Sequence, residues 1–205
     1  MAVGTFNMSE IDERYPCTIE AGGEEIALTL MAQTDESAIA AFADSLPEND
    51  LLFLTRDIRE PKVRAAWLTQ IEQGEILSIA AKLGDEVVGT TAVVTDKLSF
   101  SAHVGELRVL VGPKAREIGL GRKLIQEAFL IGMNQGLDKL TVRMTIDQDA
   151  AIKVFEELGF KQEALFRDQV KDQAGKKHDL IILSHDVDGF FSQIEAYGLD
   201  HVGVE

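Results

Sequence analysis

Near residue 112 the spacing of apolar residues changes, and that change constrains the fold more than any other feature of the chain. Leu107, Val109 and Val111 alternate at the period of a β-strand. From Leu120 onward apolar residues recur at Leu124, Ile125, Ala128 and Phe129, at the period of a helix, and a glycine at 136 suits its end. The link between the two is Arg116-Glu117-Ile118-Gly119-Leu120-Gly121-Arg122. Its glycines let a ligand approach the backbone closely, and the first N–H groups of the helix have no partner within it. With the positive end of the helix dipole and two arginines alongside, this turn is an anion site. Two other phosphate loops fit less well. A dinucleotide fingerprint requires glycine or alanine at 124, where Leu124 stands, and a Walker-type loop requires lysine and a hydroxyl residue after its glycine. Glycines 119 and 121 taken alone would equally suit a plain strand-to-helix turn.

The period switches repeatedly elsewhere. Strand patterns are expected at 25–31, 76–83, 86–95, 103–111, 140–145, 162–170 and 179–184. Helical patterns are expected at 35–45, 60–73, from 120 to the glycine at 136, and at 151–158. Gly84-Asp85 separates two β-rich runs as a hairpin turn does. The order β α α β β β α β α β β predicts a mixed sheet with helices packed on it, an α+β or α/β domain. Residues 25–187 form that domain, preceded by an arm, 1–24, and followed by a tail, 188–205, in which Phe190, Phe191 and Ile194 suggest a short helix.

Charge narrows the partners. The chain has 20 Lys and Arg against 35 Asp and Glu, a formal charge of −15. Nucleic acid is therefore not an expected partner, because phosphate binding needs a basic face. A cationic amine would be steered favourably, although an acidic surface also serves solubility alone. No apolar run is long enough to span a bilayer, and residues 1–14 lack the pattern of a secretory signal, so the cytoplasm is the expected location. The single cysteine, Cys17, has no partner for a disulfide or a thiolate metal site; it reads as a small buried residue, and no metal is expected.

Arg-x-x-Gly-x-Gly after a strand ending in Val111-Gly112-Pro113 resembles the acetyl-CoA signature of the GNAT acetyltransferase superfamily. Residues 151–160, ending in Leu158-Gly159-Phe160, resemble that family's next helix, and 162–184 its closing hairpin, including Arg167-Asp168 and His178-Asp179. The likeness covers residues 25–187. It implies a central sheet of about seven strands, helices on both faces, and a splayed pair of central strands.

It also implies acetyl-CoA as co-substrate and an amine acceptor. The pantetheine arm would lie between strands 103–111 and 140–145, bonded by the backbones of Val109 and Val111, with the N–H region of Leu110 or Val111 as the oxyanion site. Arg116, Glu117, Ile118, Gly119, Leu120, Gly121 and Arg122 would cradle the pyrophosphate. Gln148 replaces an asparagine common before the next helix and keeps an amide for the arm. Phe155 stands where many members carry a tyrosine as general acid, which a phenyl ring cannot replace; the remaining tyrosines, Tyr15 and Tyr197, lie in the arm and the tail. Glu106 is the first candidate for the base and His103 the second, although Glu106 can equally pair with Arg108, and His103 can be an ordinary strand-edge residue. His178 and Asp179 are candidates for the acceptor pocket. The implied activity is N-acetyl transfer to a primary amine by direct attack, with a non-catalytic acyl-CoA-binding module as the alternative. The acceptor depends on 46–55, the two early helices and the closing hairpin. A homodimer joined through terminal strands is compatible with the sequence.

Overall fold

The structure is a computed structural model, and it describes residue 11 and residues 13–187; the tail at 188–205, with its expected helix and Tyr197, lies outside the described residues. Eight strands form one sheet in the order β1-β2-β3-β4-β5-β6-β8-β7. They are β1 Cys17–Ala21, β2 Glu24–Leu30, β3 Ile76–Leu83, β4 Glu86–Val94, β5 Val104–Val111, β6 Lys139–Thr145, β7 Lys161–Lys171 and β8 Lys177–Asp186. The helices are α1 Glu36–Ser45, α2 Pro61–Glu72, α3 Leu120–Asn134 and α4 Asp149–Glu157. All strand pairs are antiparallel except β5 with β6. That one parallel contact follows from the α3 crossover between the two strands.

The α+β expectation holds, with one strand more than foreseen. Cys17–Ala21 pairs with β2 in register from Cys17 opposite Leu28 to Ala21 opposite Glu24. Those residues belong to the sheet rather than to an arm ending at 24. Gly22 and Gly23 make the tight turn between the two strands, both at positive φ.

The inner strands β3 and β4 bury side chains on both faces. Ile79 and Ala81 of β3 enter one core with Leu120, Leu124 and Ile131 of α3 and Phe155 of α4, while Ala80 enters another with Ile39 and Phe42 of α1 and Leu68 of α2. The helices thus cover both faces, as the near-continuous apolar runs of β3 and β4 require. Truncating a fully buried leucine here, such as Leu124 or Leu107, would cost about 2–5 kcal/mol.

Candidate active site

The site begins where β5 and β6 part. Their pairing runs only from Val104 opposite Lys139 to Leu107 opposite Val142, although β5 continues to Val111 and β6 to Thr145. On its other edge β5 stays paired with β4 as far as Val111. The Gly105 carbonyl accepts from the Thr141 hydroxyl on β6, and the Gly112 N–H donates to Val88 on β4. Successive residues of a strand present their backbone groups to alternate edges. Val109 and Val111 therefore turn their N–H and C=O groups into the opening, and Leu110 turns its own toward β4. A cavity of about 450 Å³ occupies the opening, with Val109, Val111, Gly121, Met144, Gln148 and Phe155 in its wall.

The N-terminus of α3 closes one end of this cleft. Gly119 caps the helix at φ 85°, a left-handed conformation that costs most residues about 1–2 kcal/mol, and no side chain caps it. The Lys123 N–H reaches the Gly119 carbonyl at 3.3 Å, so the N–H groups ahead of it have no intrahelical acceptor. Leu120 is buried in the core, which leaves only its backbone for a ligand, and Ile118 leans on the β1–β2 turn. A Cβ at Gly22 would lie 2.5 Å from the Ile118 Cβ, so that contact exists only because residue 22 is glycine. Glu117 is exposed and itself sits at φ 63°. The two arginines are already engaged: Arg116 by Asp50, from a short 3-10 turn at Glu48–Leu51, and Arg122 by Glu157 of α4. Burial raises the Asp50 carboxyl above its ordinary range, and the Arg116 charge works against that rise.

The catalytic candidates are separated. Glu106 stands at the last paired stretch before the opening. One carboxylate oxygen accepts from Arg108 Nε at 2.8 Å and the other lies 3.2 Å from Arg143 Nε of β6. His103 is exposed in the turn before β5, roughly 20 Å along the strand from Val109 at about 3.3 Å per residue, and its carbonyl accepts from Asp138 and Lys139. It is not brought to the cleft. Phe155 is buried edge-on to Phe160, with ring centroids 5.1 Å apart. Tyr15 donates its hydroxyl to Glu127 of α3 and is occupied there. Gln148 precedes α4, with its carbonyl accepting from Ile152 and its side chain in the cleft wall. His178 bonds Asp172 at 2.9 Å and lies 4.0 Å from Asp147.

A second cavity, of about 250 Å³, lies under α2 on the opposite side of β5. Leu110 lines both cavities, so they adjoin at this residue. Arg56, Trp67 and Arg108 face into the second one, and the Trp67 indole N–H is fixed by the Ser78 hydroxyl at 3.1 Å. Neither His178 nor Asp179 is in its wall. None of these residues except Arg108 was marked by the sequence, since isolated arginines and a tryptophan in a loop and a helix form no motif.

Comparison with known proteins supplies the family and the fold. Residues 47–160 match the family model described as the acetyltransferase (GNAT) family. N-alpha-acetyltransferase 30 of Xenopus laevis is 25% identical over 156 residues, 74% of this chain; the chain spans 57% of that protein's length. The putative phosphinothricin acetyltransferase YwnH of Bacillus subtilis is 24% identical over 166 residues, 79% of this chain and 99% of that one. Among solved structures, yncA of Salmonella typhimurium, a putative acetyltransferase determined with its cofactor acetyl-CoA, superposes with a TM-score of 0.67 at 18% identity, covering 80% of this chain and 94% of the other. The family match spans more than half of the sequence, and the chain belongs to the GNAT acetyltransferase family.

Proposed function

We propose that the protein transfers the acetyl group of acetyl-CoA to a primary amine. The observation that carries this reading is the end of β5–β6 pairing at Leu107, which frees the Val109 and Val111 backbone in line with the uncapped start of α3. The pantetheine amides would bond those backbone groups, and the pyrophosphate would take the N–H groups at 119–122. Because Leu110 faces β4, the Val111 N–H is the donor for the oxyanion. The amine nitrogen attacks the thioester carbon, a C–N bond forms, the C–S bond breaks, and CoA leaves as thiolate. The proton lost by the amine passes to Glu106, through water, because its oxygens already hold two guanidinium groups. A thiol of pKa near ~8.5 departs tolerably without an acid, which suits Phe155 in the place of a tyrosine. Acetyl-CoA incubated with the protein and a panel of primary amines should release free thiol; no release above background across a broad panel sinks the proposal.

A second reading, an acyl-CoA-binding module without turnover, is favoured by the same Phe155 and by the double pairing of Glu106. It predicts a rise in Tm with CoA and no activity that Glu106→Gln can remove. No helix among the described residues is long and apolar enough to cross a membrane. We place the protein in the cytoplasm, acting on an amine of a small molecule or of a protein and not on nucleic acid.

A further inference from the structure

The cavity under α2 has an electrostatic character opposite to that of the chain. The protein carries a formal charge of −15, yet the described residues lining this cavity include two arginines, Arg56 and Arg108, and no carboxylate. Arg143 adds a third guanidinium where β5 and β6 part, and Glu106, the one carboxylate among the described residues in contact with this group, is shared between Arg108 and Arg143. Arg108 lines the cavity and gives its Nε to Glu106, which fixes the guanidinium plane. Nearby arginines are spent on structure. Arg59 pairs with Asp57, and Arg64 donates to the carbonyls of Ile58 and Arg59, which pins the loop that carries Arg56. Arg56 itself has no ion-pair or hydrogen-bond partner among the described residues.

The rest of the wall combines Thr55, Gln70 and Thr90 with apolar residues, of which Trp67 is the largest, beside Ile58 and Val63. About 250 Å³ is the space of roughly eight waters at ~30 Å³ each, enough for one amino-acid-sized body. A polyamine would meet like charge here, and the carboxylate that touches this group, Glu106, is already shared by two guanidiniums. An acceptor with a carboxylate or a similar oxyanion beside its amine would meet two guanidiniums, a geometry that arginine binds with paired hydrogen bonds. The same positive charge disfavours the protonated amine, and only the neutral amine attacks.

We infer that the acceptor is a small zwitterion, an α-amino acid or a close analogue with an apolar side chain, held by its anionic group on Arg56 and Arg108 with its side chain against Trp67. This rests on the acetyl-transfer reading for the step but not for the binding, and the experiment separates the two. L-leucine, L-leucinamide, isoamylamine and spermidine are titrated calorimetrically into the protein saturated with acetyl-CoA, and thiol release is followed with each. The amino acid should bind and react at least about tenfold better than its amide, a preference that Arg56→Gln and Arg108→Gln each reduce by about tenfold or more while acetyl-CoA affinity, measured alongside, reports folding. Preferential binding of leucine without thiol release would support the acceptor site and sink the transfer proposal. Equal or better use of the amide or of spermidine, no binding of leucine at millimolar concentration, or a preference untouched by Arg56→Gln would overturn the inference.

Discussion

The two cavities that adjoin at Leu110 are built from different materials. The cleft between β5 and β6 offers mainly backbone: edge groups of Val109 and Val111, and the N–H groups that open α3. The cavity under α2 offers side chains, above all Arg56, Arg108 and Trp67. A backbone site tolerates changes of side chain but not of backbone path, so it persists as a spacing of glycines. A side-chain site leaves the path free and varies residue by residue. One binding mode can thus be shared across a family while the other is particular to each chain.

The backbone-built cleft is most vulnerable at Gly121. Its missing Cβ points at Val111 from 3.6 Å, inside the cleft. Gly121→Glu would put a carboxylate where a pyrophosphate is expected, and acetyl-CoA affinity measured by calorimetry should fall about a hundredfold or more, on the scale of roughly 3 kcal/mol for an uncompensated charge. An unchanged Kd would show that the turn is not the phosphate site. Next in size is Glu106→Gln, which removes the carboxylate that bridges Arg108 in the wall of one cavity and Arg143 in the wall of the other. In steady-state assays it should lower kcat by about a hundredfold with little effect on acetyl-CoA binding; unaltered turnover removes Glu106 from the chemistry.

Gly22→Ala tests whether the cleft depends on path alone. It touches no ligand group, yet its methyl would collide with Ile118 at a residue held at φ +60°. Thermal unfolding should report a loss of about 1–2 kcal/mol, and acetyl-CoA affinity should drop several-fold as the loop shifts. The smallest effect is expected from Asp50→Asn. Removing the carboxylate that engages Arg116 frees a guanidinium beside the cleft, so acetyl-CoA should bind about two- to fivefold more tightly at low salt, with the gain fading as salt rises. Weaker binding would mean that Asp50 positions Arg116 instead of occupying it.

The same difference in materials explains what could be read in advance. The strand-to-helix switch at residues 107–124, the Gly159-Phe160 helix end and the order of elements were visible, because period and glycine placement are properties of the backbone written locally. Strand β1 was missed, although Cys17, Ile19 and Ala21 alternate with Thr18 and Glu20 ahead of a Gly-Gly turn; five residues is a short run, and only pairing with β2 makes it a strand. Arg56, Trp67 and Arg143 come from a loop, a helix and a strand, and nothing in one dimension brings them together. His103 and Glu106 looked alike as candidates because the sequence does not say where β5 and β6 separate. Once that point is fixed at Leu107, one stands beside it and the other at the closed end.

The lean of Ile118 on Gly22 has a practical reach. A shortened protein starting at residue 25, the boundary that the periodicity suggests, would keep every residue of the phosphate turn and lose the wall behind it, along with the partner of one sheet edge. Such a fragment would carry the family's signature intact and is expected to bind acetyl-CoA poorly. Grafting the turn into another scaffold therefore means moving two pieces, the loop and the tip of a hairpin nearly a hundred residues away in sequence.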